Sequence, residues 1–168
     1  MSPTCLKSRF AQWTPGKELR VENPGGIAPW IGLIDDDGHS AYLFQREMRE
    51  LLGTDVCSYG GDCEAVADLD LVLSDSRADW PDLLVVDLKA HSLATLEFVQ
   101  RHASWLRQKG IPLIAMVPPA DPKACRMYHE AGAAAVFFRQ PERDAYRREL
   151  EGIENFRART QRLDAVGM

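Results

Sequence analysis

The sequence predicts an α/β domain, an open doubly wound sheet of five parallel strands with helices on both faces. Three observations carry that reading. Near-continuous apolar runs of strand length recur along the chain: Ile31-Gly32-Leu33-Ile34, Leu83-Leu84-Val85-Val86, Leu113-Ile114-Ala115-Met116-Val117 and Val136-Phe137-Phe138. Such runs are too short for buried helices and suit parallel strands covered on both faces. Between them lie longer amphipathic stretches bounded by helix start and stop residues, and strands alternating with helices build a parallel sheet. Finally, 168 residues with 45% apolar content suffice for one ordinary core and leave little for a second domain.

The elements follow in order. Residues 1–29 hold Pro3, Pro15, Pro24, Gly25, Gly26 and Pro29 without a sustained period, which predicts an irregular arm, pinned at most by Phe10 and Trp13. The domain proper is expected over residues 30–160, with a short tail over 161–168. After the first strand, Ala41, Phe44, Met48, Leu51 and Leu52 share one helical face that Gly53 ends. Asp55 to Tyr59 reads as a weaker, peripheral strand, and Asp62 to about Arg77 as a long helix. Leu93, Leu96, Val99, Ala103 and Leu106 form the next stripe, stopped at Gly110 with Pro112 beyond. Asp121-Pro122 supplies an N-cap and a first-turn proline for a helix that runs to Gly132. Pro141-Glu142 opens the last helix, striped by Tyr146, Leu150, Ile153 and Phe156. Its arginines, among them Arg143, Arg147 and Arg157, interleave with glutamates and read as a solvated, ion-paired face.

Charge and cysteine usage narrow the function classes. A net charge of −5 and a pI near 5.4 argue against nucleic acid as a partner, because phosphate-backbone binding needs a basic face. No apolar run approaches the roughly 20 residues of a membrane span. The four cysteines include no C-x-x-C pair and no secretory leader opens the sequence, which predicts reduced thiols in a cytoplasmic protein. Cys57, Cys63 and Cys125 read as small buried apolar residues.

The chemistry concentrates at two strand ends. In an open α/β sheet, ligands bind beyond the carboxyl ends of the strands. Asp35-Asp36-Asp37 follows the first strand there, and Asp87 follows the third. Carboxylates gathered in one cleft repel one another unless a cation sits among them. A hard divalent ion with oxygen ligands, magnesium above all, answers that need. The plainer reading is that these are loop carboxylates capping helices. His91, in the loop after Asp87, reads as solvent-facing; His39 lies beside the acidic residues and could tune them.

Ile34-Asp35-Asp36-Asp37, Asp87-Leu88 after Leu84-Val85-Val86, and Ala131-Gly132-Ala133 before the fifth strand together resemble the receiver domains of two-component response regulators. The likeness covers about residues 30–158. It implies a flavodoxin-like sheet in the order 2-1-3-4-5. By the same resemblance, Asp87 is the phosphoacceptor, Asp36 the direct magnesium ligand and Asp35 its water-bridged partner. Lys89 then offers its backbone carbonyl to the metal, and Arg139 stands where receivers carry a lysine. The implied partners are a histidine kinase or phosphotransfer protein and a downstream protein, with a homodimer through the fourth and fifth helices as one assembly. No output domain is expected after residue 168, so signalling is expected from the domain's own surface. The departures are specific. The hydroxyl residue at the end of the fourth strand becomes Val117, the aromatic switch residue becomes Val136, and Arg139-Gln140-Pro141 replaces Lys-Pro. Valine cannot donate a hydrogen bond, and arginine keeps the charge without the compact geometry. Two readings follow: a stand-alone phosphoacceptor receiver, at most a self-directed phosphotransfer enzyme, or a phosphorylation-independent interaction module. A small-ligand or flavin-binding domain is a distant third, because no phosphate-cradling Gly/Ser loop follows the first strand.

Overall fold

The computed structural model describes residues 30–61 and 63–166, and the expectations for the arm at 1–29 and for Cys5 and Cys63 lie outside the residues or side chains described. Five strands, β1 (Trp30–Asp35), β2 (Asp55–Gly60), β3 (Leu83–Asp87), β4 (Leu113–Val117) and β5 (Ala135–Phe138), pair in parallel in the order β2-β1-β3-β4-β5. Five helices connect and follow them: α1 (Gly38–Leu52), α2 (Cys63–Ser74), α3 (Ala94–Gln108), α4 (Pro122–Ala131) and α5 (Arg143–Val166). The chain order reverses at β1 and β3, so the crevice beyond their carboxyl ends is the natural ligand position.

Alternation along each buried strand splits the core in two. Ile34, Leu84, Val86, Leu113, Ala115 and Val117 face one layer with Leu69, Leu73, Val99 and Leu106. Ile31, Leu33, Leu83, Val85, Ile114 and Met116 face the other, against Phe44, Met48, Leu150 and Ile153. Most of these residues are essentially inaccessible, and each buried Val, Leu, Ile, Phe or Met side chain contributes about 1.5–3 kcal/mol. The period of two also decides where the acids point. Asp35 continues the parity of Ile31 and Leu33, and Asp87 that of Leu83 and Val85, towards α1 and α5.

The helix signals are obeyed. Asp37 caps α1 by accepting from the N–H groups of His39 and Ser40, and Gly53 ends it in the left-handed region at φ 62°. Asp121 caps α4, accepting from Ala124 N–H at 2.8 Å.

Three expectations need correction. The helix α5 continues through Val166, so the segment expected as a tail is helical as far as it is described. Cys57 is disulfide-bonded, so the expectation of reduced thiols fails there, whereas Cys125 is free and half-buried. The arginine face of α5 is ion-paired as expected at Arg157 and Glu154, but it is not solvated throughout. Arg143 and Arg147 reach across to Glu47 of α1 at 3.1 and 2.8 Å. Arg157 is 7% exposed and binds Glu154 and Asp82.

Candidate acidic site

Parallel pairing of β1 with β3 sets Asp35 directly opposite Asp87 in register. Both side chains are buried, 3% and 2% exposed. Two ionised carboxylates in such a place need counter-charge, and the protein supplies it from its own chain. The Lys89 ammonium lies 2.7 Å from Asp35 Oδ1 and 3.1 Å from Asp87 Oδ2. It also donates to the Asp87 carbonyl oxygen at 3.1 Å. Arg139, just past β5, brings its Nε to 2.9 Å from Asp87 Oδ1. That contact is an ion pair without hydrogen-bond alignment, since neither atom has a hydrogen-bond partner among the described residues. Asp35 Oδ1 additionally accepts the N–H of Asp37 at 2.8 Å, while its Oδ2 is buried without a partner among the described residues.

Asp36 does something different. Its carboxylate accepts from the N–H of Lys89 at 2.8 and 3.0 Å and from the N–H of Ala90 at 2.7 Å. It thereby fixes the β3–α3 turn. Gly61 makes room for it: a Cβ there would sit 2.6 Å from the Asp36 Cβ and 2.7 Å from its Cα and N.

Burial drives the Asp87 carboxyl up from its ordinary 3.8 to about 6; Lys89 and Arg139 pull it down, and Asp35 pushes it up further. Tyr146 of α5 is raised well above the usual phenol range, first by burial and then by the negative charge of Asp87 and Asp35. A cavity of about 420 Å³ opens over this corner between the start of α1 and the β5–α5 loop. Asp37, His39, Asp87, Arg139, Pro141 and Tyr146 line it.

The residues expected around a metal are thus brought together only in part. Asp35 and Asp87 face each other, but an ammonium stands between them. Asp36 is engaged with backbone N–H groups, and from Lys89 the side chain enters the site. Among the described residues no group of three or more His, Cys, Asp or Glu is arranged to hold a metal ion. As the side chains stand, this donor set does not fit a divalent ion, which needs several oxygens converging at short range.

The positions of the missing switch residues are equally plain. Val117 is 3% exposed and packs in the same cluster as the half-buried Val136. His91 is exposed and 3.6 Å from Glu97. His39 lines the cavity. Sequence reasoning missed the Lys89 ammonium, Tyr146, and the α1–α5 tie at Glu47. The signal for Glu47 is its place on the apolar stripe between Phe44 and Met48.

No protein-family model matches the sequence, and no curated protein does. Solved structures do match by shape. The Mn(2+)-bound form of response regulator Rcp1 superposes with a TM-score of 0.57 at 17% identity, covering 76% of this chain and 94% of its own. The phosphorylated cyanobacterial phytochrome response regulator RcpA gives 0.58 at 16% identity, covering 77% and 94%. The signal receiver domain of a putative Luxo repressor protein from Vibrio parahaemolyticus gives 0.60 at 17%, covering 83% and 98%. With its five parallel strands in the order 2-1-3-4-5 and its two apposed strand-end aspartates, the chain has the fold of a response regulator receiver domain.

Proposed function

We propose that this chain is a receiver-type signalling module that works through protein–protein contact and does not depend on a phosphoryl group at Asp87. The observation that carries this is the state of Asp87 itself. Both of its carboxylate oxygens already face cations of the same chain, Lys89 at 3.1 Å and Arg139 at 2.9 Å. Two further features support it. Val117 has no hydroxyl to follow a phosphoryl group, and Val136 has no ring to swing. A ligand shifts a conformational equilibrium only through unequal affinity for the two states, and here the groups that would create the inequality are missing. The partner is then a protein of a two-component pathway. No described helix is long and apolar enough to cross a membrane.

A second reading is favoured by a specific observation. Asp35 and Asp87 remain paired across adjacent strand ends, with a cavity over Asp87 through which a donor could approach. On that reading Asp87 accepts a phosphoryl group from a histidine kinase or phosphotransfer protein, with magnesium held at Asp35, Asp36 and the Lys89 carbonyl. Among the neighbours in shape, one is Mn(2+)-bound and one phosphorylated.

Intact-mass measurement separates the two. With a small phosphodonor and magnesium, the wild-type chain should acquire no phosphoryl mass. A gain of one phosphoryl group that Asp87→Ala abolishes would establish the second reading and remove the first.

A further inference from the structure

We infer that Lys89 is a tethered cation that takes over, at Asp35 and Asp87, the charge-neutralising part of a divalent ion, with Asp36 as the positioning residue that holds it there. The inference rests on the proposed function and names what closes the site.

All three aspartates serve this one lysine. Asp36 grips its backbone N–H with both oxygens and takes the next N–H as well. Asp35 and Asp87 receive its ammonium at the other end of the side chain. A lysine suits the place because its head is a compact point charge with three donor hydrogens. Three oxygens surround it: Asp35 Oδ1 and the Asp87 carbonyl accept hydrogen bonds, and Asp87 Oδ2 makes an ion pair. At the buried pair the charges balance, since Asp35 and Asp87 oppose Lys89 and Arg139, while the exposed Asp36 carboxylate is held by backbone N–H groups. The Lys89 side chain is 22% exposed, so the pair is largely shielded from solvent.

Tethering decides the competition with a free ion. The ammonium is joined to a backbone already fixed by Asp36, so its effective concentration at the two carboxylates is high, on the millimolar scale typical of short linkages. An incoming divalent ion has to displace the ammonium and also draw Asp36 away from two N–H groups. Either step weakens its binding.

The test titrates the full chain with Mn²⁺, followed by paramagnetic broadening of amide signals. Lys89→Met should bind Mn²⁺ at least about tenfold more tightly than wild type, equivalent to roughly 1.4 kcal/mol. Lys89→Gln should move the same way, which guards against misfolding of one variant. In the wild-type chain, reductive methylation should also reach Lys89 more slowly than the exposed Lys123. Equal Mn²⁺ affinity in wild type and both variants, or methylation of Lys89 as fast as Lys123, overturns the inference. Intact mass with a phosphodonor on the same samples shows which idea has failed. Equal affinities without a phosphoryl mass sink the role of Lys89 alone, and a phosphoryl mass on wild type sinks the proposed function.

Discussion

At the scale of single residues, Asp87 decides how the site behaves with pH. Its folded-state pKa is raised from 3.8 to about 6 by burial. The folded chain therefore holds that proton where the unfolded chain has lost it. Stability contributed through Asp87 is highest below pH 4, falls as pH climbs from about 4 to about 6, and levels off above. Comparing the thermal midpoints of wild type and Asp87→Asn across that window checks the sign. The wild type should lose ground to the variant as pH rises, and a gain would contradict the assignment. Lys89 pulls the same pKa down, so Lys89→Met should move the Asp87 midpoint above 6 in a carboxyl-carbon NMR titration. The identity of the acids was legible in the sequence because each directly follows an apolar run. The behaviour of Lys89 was not. Its place two residues after Asp87 fixes where its backbone lies, whereas the direction of a four-carbon side chain depends on charges 54 residues away.

At the scale of elements, two contacts carry the site's geometry. Glu47 of α1 is buried at 3% exposure and bonds Arg46 in its own helix and Arg143 and Arg147 of α5. Burial opposes its charge, but the hydrogen bonds from Arg147 and Arg46 prevail and hold its carboxyl below the usual value. Its arginine partners are 30–63% exposed and can turn to water once it is gone, so Glu47→Ala should lower stability by about 1–2 kcal/mol in denaturant unfolding. Glu47→Leu, which fills the space but removes the same ion pairs, should not restore it. The second contact is the approach of Gly61 to Asp36. Gly61→Ala forces a shift of backbone rather than of a flexible side-chain end. It should cost about 1–3 kcal/mol and speed hydrogen exchange at the amides of Lys89 and Ala90, whose acceptor is Asp36. The helices themselves were legible from their stripes and caps, Asp37 and Gly53 for α1 and Asp121 for α4. The partners of Arg143 and Arg147 were not, because glutamates nearby on α5 offered a local pairing that Arg157 takes with Glu154 but these two arginines do not. Arg143 and Arg147 instead pair 96 and 100 residues away. The disulfide bond at Cys57 was equally invisible, since spacing gave no pair.

At the scale of the whole molecule, strand order and register convert sequence into a site. Apolar runs announced the strands, and their alternation places Asp35 and Asp87 side by side at the reversal of the sheet. That much was readable along the chain. What the chain does with the pair depends on the closing charges and on a surface, α4, β5 and α5, that in the proposed function holds one conformation. Val117 and Val136 lie packed in one core layer below that surface. An analogue at Asp87 should therefore change partner affinity there by less than about tenfold, roughly 1.4 kcal/mol. The most direct test is chemical-shift mapping by NMR with and without beryllofluoride and magnesium. Shifts should be absent or confined to residues lining the Asp87 cavity. Large shifts spreading from Asp87 through Val117 and Val136 to Tyr128 and Arg148 would contradict it.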